Sequence, residues 1–100
     1  MYDVVVIGAG VTGTCIAREL SRYDIDLCVM EKGDDVASGT SKANSGVIHA
    51  GFDCKPGTLM AKLNVKGNAL IYKYSKELDF PTKKNGSLVV CTVEAERGEL

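Results

Sequence analysis

Apolar and polar positions along this chain fall into two alternating rhythms. Tyr2-Asp3-Val4-Val5-Val6-Ile7 is apolar after Asp3 without alternation, the pattern of a fully buried parallel strand over residues 2–7. Ile16, Ala17 and Leu20 then recur at helical spacing, with Arg18, Glu19 and Arg22 on other faces, which predicts a helix over 11–22. Leu27-Cys28-Val29-Met30 is a second apolar run, a strand over 26–31 that ends on Glu31. From Lys32 to Ser45 the chain is rich in Gly, Ser, Thr, Asp and Asn and reads as a long loop. Gly46-Val47-Ile48-His49-Ala50-Gly51 is short, apolar and bracketed by glycines. Lys55-Pro56-Gly57-Thr58 predicts a turn with Thr58 as a helix N-cap. Leu59, Leu63, Leu70, Ile71, Tyr74 and Leu78 form the stripe of that helix, with Gly67 interrupting it and Pro81 preventing its continuation. Asn85-Gly86 predicts a turn, Ser87-Leu88-Val89-Val90-Cys91-Thr92 a strand, and residues 94–100 the opening of another helix.

Between the first strand and the first helix stands Gly8-Ala9-Gly10-Val11-Thr12-Gly13. Strand, glycine turn, helix, strand and acid make a βαβ unit that holds the pyrophosphate and adenosine ribose of a dinucleotide. Gly8 lets the chain turn out of the strand, Gly10 lets the backbone approach the pyrophosphate, and Gly13 lets the helix sit close to the strand. The helix opens at Val11 and Thr12 with free N–H groups and the positive end of its dipole. Glu31 follows Gly13 at close to the spacing of about 20 expected for the ribose-binding acid. A carboxylate there repels a 2′-phosphate, which argues against NADP. The competing reading, an unrelated glycine-rich turn, lacks a reason for the apolar strand before and the helix after. The pattern predicts an α/β, Rossmann-like parallel sheet that binds FAD or NAD, and with it redox chemistry carried by the cofactor.

Composition narrows the classes. An apolar fraction of 45% and a charged fraction of 25% suit a globular domain. The net charge of −1 gives no electrostatic footprint for nucleic acid or an anionic membrane, so at most peripheral membrane association is expected. No apolar run approaches the ~18 residues of a spanning helix. The start of the chain runs directly into a core strand, leaving no room for a cleavable signal. Cys15, Cys28, Cys54 and Cys91 are widely spaced without a CxxC pair, and Cys15 and Cys28 fall on faces expected to be buried. Reduced, packed cysteines and no metal site are the expectation, in a cytoplasmic protein.

A second constellation follows Glu31-Lys32: Thr40-Ser41, then Asn44-Ser45-Gly46-Val47-Ile48-His49-Ala50-Gly51. With Val6-Ile7-Gly8-Ala9-Gly10-Val11-Thr12-Gly13, and with Lys55-Pro56-Gly57-Thr58-Leu59, Ala61-Lys62-Leu63 and Asn85-Gly86-Ser87-Leu88, it covers nearly the whole chain. On these motifs the chain resembles the FAD-dependent oxidoreductases grouped with D-amino-acid oxidase. Within them it is most similar to the branch containing glycerol-3-phosphate dehydrogenase and L-2-hydroxyglutarate dehydrogenase. The second motif is the more specific, because Rossmann proteins that bind only NAD lack it.

The resemblance implies a two-domain enzyme with FAD as cofactor. Gly8, Gly10, Val11, Thr12, Gly13, Glu31 and Lys32 would belong to its binding site. Thr40, Ser41, Asn44 and Ser45 would line the pyrophosphate and ribityl chain. Gly46, Val47 and His49 would lie near the isoalloxazine ring. The residue chemistry agrees: Ser, Thr and Asn supply donors and acceptors for a polar tail, and small residues let a flat ring approach the backbone. Residues 1–57 would then be the opening of the FAD-binding domain, and 58–100 the helix and strand leading into a substrate domain. With no third parallel strand evident, the chain reads as the N-terminal part of a longer enzyme rather than a complete miniature domain.

His49 is the only histidine. Histidine suits proton transfer near neutrality. It could take the hydroxyl proton of a substrate while the adjacent hydride moves to flavin N5, shape the flavin's surroundings, carry the flavin covalently, or be a packed structural residue. Lys55, Lys62 and Lys66 read as a solvated face before an anion site, and Tyr72 and Tyr74 as packing. The preferred function is an FAD-dependent dehydrogenase oxidising a small hydroxylated anion, glycerol 3-phosphate or a 2-hydroxy acid, with an unidentified electron acceptor. The alternatives are an NAD-dependent oxidoreductase and a non-catalytic nucleotide-binding module.

Overall fold

The computed structural model describes residues 1–99. Contacts divide the chain into two units, Met1–Val47 and Ile48–Leu100.

The first unit is a βαβ unit. Strand β1 spans Val4–Ile7, helix α1 Val11–Leu20 and strand β2 Leu27–Met30. β1 and β2 pair in parallel, with Val4 opposite Leu27 and Ile7 opposite Met30. The ladder is set at one end by Asp3, whose amide donates to the Asp26 carbonyl at 2.9 Å and whose carboxylate accepts from the Asp26 amide at 2.8 Å. At the other end the Gly8 amide donates to the Met30 carbonyl at 2.7 Å, so pairing continues into the glycine turn. Helix α1 packs against both strands. This is the predicted α/β arrangement, with element ends drawn in by at most two residues from the sequence-based bounds.

The expectation of a fully buried β1 is corrected. Val4 and Val6 are half-buried, whereas Val5 is 45% and Ile7 88% exposed. α1 covers one face of the sheet, and among the described residues no element covers the other. Cys15 and Cys28 are half-buried free thiols for the same reason, and Ile16 is exposed. Ala9 is the one fully enclosed apolar residue among those described, which places the tightest packing at the glycine turn.

In the second unit, helix α2 spans Leu59–Glu77. Thr58 caps it as predicted: its Oγ1 accepts from the Ala61 amide at 3.2 Å and donates to the Lys55 carbonyl at 2.7 Å. The helix runs through Gly67 without a break. It ends in a Schellman arrangement in which Asp79 takes a left-handed φ of 52° and the Phe80 amide reaches back to the Ser75 carbonyl at 3.1 Å. Of the predicted stripe, Leu70, Ile71 and Tyr74 are half-buried, but Leu59, Leu63 and Leu78 are exposed.

The strand expected over Ser87–Thr92 does not form. A lone extended segment has no ladder to join, and among the described residues no partner strand lies beside it. A short 3₁₀ helix over Glu94–Glu99 stands where a helix opening was expected. Leu100, the end of that expectation, lies outside the described residues.

Candidate cofactor site

The glycine turn of the first unit is built by steric necessity. Gly8 has φ of +100°, a conformation that L side chains rarely adopt. A Cβ on Gly13 would overlap the Gly8 carbonyl oxygen and would touch Val6 Cγ1 at 3.4 Å. The first turn of α1 therefore lies directly against the bend, as the Gly13 argument requires.

Gly10 is the N-cap of α1 and has no side chain to satisfy the leading amides. Ser41 supplies the missing acceptor from far along the sequence. Its Oγ accepts from the Val11 amide at 2.8 Å and stands 3.1 Å from where a Cβ on Gly10 would be. Among the described residues, the Thr12 and Gly13 amides meet no protein acceptor. Orphan N–H groups at a helix start, with the dipole behind them, attract an anion.

Glu31 closes the other side of the turn. Its Oε2 accepts from the Ala9 amide at 2.8 Å and its Oε1 from the Gly33 amide at 3.0 Å. These two bonds, the Ala9 bond foremost, hold its carboxyl below the usual glutamate value, against a smaller opposing effect of burial. A carboxylate oxygen has room for more than one donor, so each can still accept from a ribose hydroxyl. The Ala9 carbonyl in turn accepts from the Ala37 amide at 3.0 Å, with Ala37 in a left-handed conformation. The loop after β2 is thereby folded back onto the turn.

The polar loop is internally braced. Asn44 Nδ2 donates to the Thr40 and Ser41 carbonyls, each at 2.9 Å, and its Oδ1 accepts from the Gly46 amide at 2.8 Å. Asn44 thus shapes the segment that presents Ser41. Lys32, Thr40, Ser45, Gly46 and Val47 are exposed. Gly8, Gly10, Val11, Gly13, Glu31 and Ser41 are brought together around the turn, and Thr12 stands in the same helix start.

The donor set fits a dinucleotide: leading amides for phosphate, an ionised acid for ribose, and positions where a Cβ would fill the approach. Comparison with known proteins decides which one. Residues 3–100 match the FAD dependent oxidoreductase family, DAO. The chain belongs to that family. Its cofactor is FAD. Over 90 residues, 90% of this chain, it is 54% identical to a glycerol 3-phosphate dehydrogenase of Caloramator mitchellensis, of which the match covers 19%. It is 44% identical over 94% of its length to the mitochondrial L-2-hydroxyglutarate dehydrogenase of Arabidopsis thaliana, covering 20% of that protein. It is also 44% identical over 98% of its length to a glycerol 3-phosphate oxidase of Mycoplasma pneumoniae, covering 26% of that protein. The chain therefore spans between 19% and 26% of the length of these relatives.

His49 lies in the second unit of this DAO-family chain. It is exposed, its Nδ1 lies 4.0 Å from Asp53 Oδ2, and its carbonyl accepts from Asn68 Nδ2 at 3.1 Å. Sequence reasoning singled out neither Asp53 nor Asn68. It also missed the backbone partners at Ala9, Gly33 and Ala37, since an amide donor carries no side-chain signature. Among the described residues there is no cluster of metal-ligating side chains, and no helix is long and apolar enough to cross a membrane.

Proposed function

We propose that this chain forms the FAD-binding opening of a dehydrogenase that oxidises a small hydroxylated anion, glycerol 3-phosphate or a 2-hydroxy acid. The single observation that carries this reading is the glycine turn of α1, closed by Glu31 and Ser41, in a chain whose relatives bear those substrates in their names. When bound, FAD accepts a hydride at N5 of its flavin ring.

The chain's own residues divide the remaining work. The unpartnered Thr12 and Gly13 amides would hold the pyrophosphate, beside the Val11 amide that Ser41 caps. Glu31, which fixes Ala9, would accept from the ribose hydroxyls, and Lys32 would flank it. Thr40, Asn44 and Ser45 would line the ribityl chain, and Gly46 and Val47 would lie near the flavin ring. His49 accepts the hydroxyl proton of the substrate as the neighbouring carbon gives up its hydride and the C–O bond becomes a carbonyl. Residues from Thr58 onward lead into the substrate domain. The protein acts in the cytoplasm with at most peripheral attachment to a membrane.

Anaerobic mixing of the full-length, FAD-reconstituted protein with glycerol 3-phosphate and, separately, with L-2-hydroxyglutarate tests the reading. One of the two is expected to bleach the oxidised flavin band. A protein that retains no flavin, or whose flavin neither compound reduces, overturns it.

A further inference from the structure

We propose that Asp53 is a positioning residue for His49, fixing which nitrogen of the imidazole carries the proton. The inference rests on the reading of His49 as proton acceptor.

The segment from His49 to Cys54 is not helical, yet helix α2 holds it at three points. Asn68 Nδ2 donates to the His49 carbonyl at 3.1 Å. Asn64, one turn earlier on the same helix face, donates to Cys54 Sγ at 3.1 Å. Between them Gly51 is buried, and a Cβ there would stand 3.1 Å from Val65 Cγ2 and 3.2 Å from Asn64 Cβ. The two asparagines and the close approach at Gly51 fix the backbone on both sides of Asp53.

That backbone sets Asp53 Oδ2 4.0 Å from His49 Nδ1, with both side chains more than half exposed. The distance exceeds the reach of a direct hydrogen bond, about 2.7–3.2 Å, so a bridging water or a small side-chain rotation completes the contact. Among the described residues Asp53 is the one ionisable group paired with His49. Asn64, Val65 and Asn68, which meet this segment from α2, are uncharged.

The chemistry follows from the two ring nitrogens being distinct. A carboxylate facing Nδ1 favours the tautomer with hydrogen on Nδ1. Nε2 then keeps its lone pair and can accept the hydroxyl proton of a substrate. As it does so the ring becomes cationic, and the same carboxylate stabilises that charge. In open water such a pair contributes little, and a substrate seated on Nε2 would shield the ring from solvent and strengthen it.

The test uses the full-length FAD-loaded protein, labelled with ¹⁵N-histidine, as wild type, Asp53→Ala and Asp53→Glu, with His49→Gln to assign the His49 resonances. The ring nitrogen shifts should report the Nδ1–H tautomer in the wild type, a loss of that preference in Asp53→Ala, and its return in Asp53→Glu. In parallel, kcat should fall about 10- to 100-fold in Asp53→Ala, part of what a positioned proton acceptor contributes. KM and flavin content should stay unchanged, and Asp53→Glu should recover much of the rate. An unchanged tautomer in Asp53→Ala, an unchanged kcat, or a loss of flavin that Asp53→Glu does not repair overturns the proposal. A wild-type flavin that no hydroxylated anion reduces sinks the functional reading instead, and the tautomer measurement still decides the role of Asp53.

Discussion

The hydroxyl of Ser41 caps helix α1 by accepting the Val11 amide at 2.8 Å, a role that the helix's own N-cap residue, Gly10, has no side chain to fill. A Cβ on Gly10 would stand 3.1 Å from that hydroxyl. Supplying the cap from a distant loop ties the loop to the helix start. Local structure, packing and ligand chemistry meet in this one bond.

Ser41→Ala is therefore expected to behave as an N-cap deletion. It should lower the stability of the first unit by about 1 kcal/mol, within the range of roughly 0.5–2 kcal/mol for such losses. Chemical denaturation of the full-length protein with and without FAD checks this, and the FAD-loaded form should show the larger difference.

Gly13→Ala should be far more damaging than its single methyl suggests. The new Cβ meets the Gly8 carbonyl, a backbone atom that cannot rotate away. Overpacking of this kind costs about 1–3 kcal/mol. The helix can relieve it only by moving off the turn, so FAD retention on purification should be lost before the fold is.

The carboxyl of Glu31 predicts an acid-side transition. Its folded-state pKa is depressed, chiefly by the Ala9 amide and next by the Gly33 amide, so the stability it contributes is present above the ordinary value of 4.5. That contribution is lost as pH falls from 4.5 through the lower folded-state value. FAD affinity followed by flavin fluorescence should weaken over this window, and Glu31→Gln should already be weakened at neutral pH, roughly tenfold or more, with the acid-side dependence reduced.

Asp79→Gly is expected to stabilise the second unit. Asp79 ends α2 at φ of 52°, a conformation that costs a non-glycine residue about 1–2 kcal/mol and a glycine almost none. After the greater chain entropy of glycine is subtracted, a gain of about 0.5–1 kcal/mol should remain. Thermal unfolding measures it, and an unchanged or lower midpoint contradicts it.

The sequence announced the βαβ unit because its signals are local. Unbroken apolar runs, glycines at fixed offsets and a terminal acid each have one physical reading at short range, and Thr58 likewise marked the start of α2. The exposure of Val5 and Ile7 was not legible, because an apolar run reports what a strand can bury and not what lies over it. The Ser87–Thr92 segment misled for a related reason: β-branched residues favour extended backbone, but a strand needs a partner to pair with. At the site, the sequence pointed to Glu31 as the acid of the turn, while its grip on Ala9 was hidden because an amide looks alike in every residue. Asn44 was expected to face the cofactor and is used in closing its own loop. Asp53 stands four positions after His49 in a turn, where helical spacing rules give no warning of a contact.

The most direct measurement is an experimental structure of the full-length protein with FAD bound. The account places the pyrophosphate oxygens within hydrogen-bonding distance of the Thr12 and Gly13 amides and the adenosine ribose on the Glu31 carboxylate. A cofactor seated elsewhere, with those amides and that carboxylate untouched by it, would contradict the account at its root.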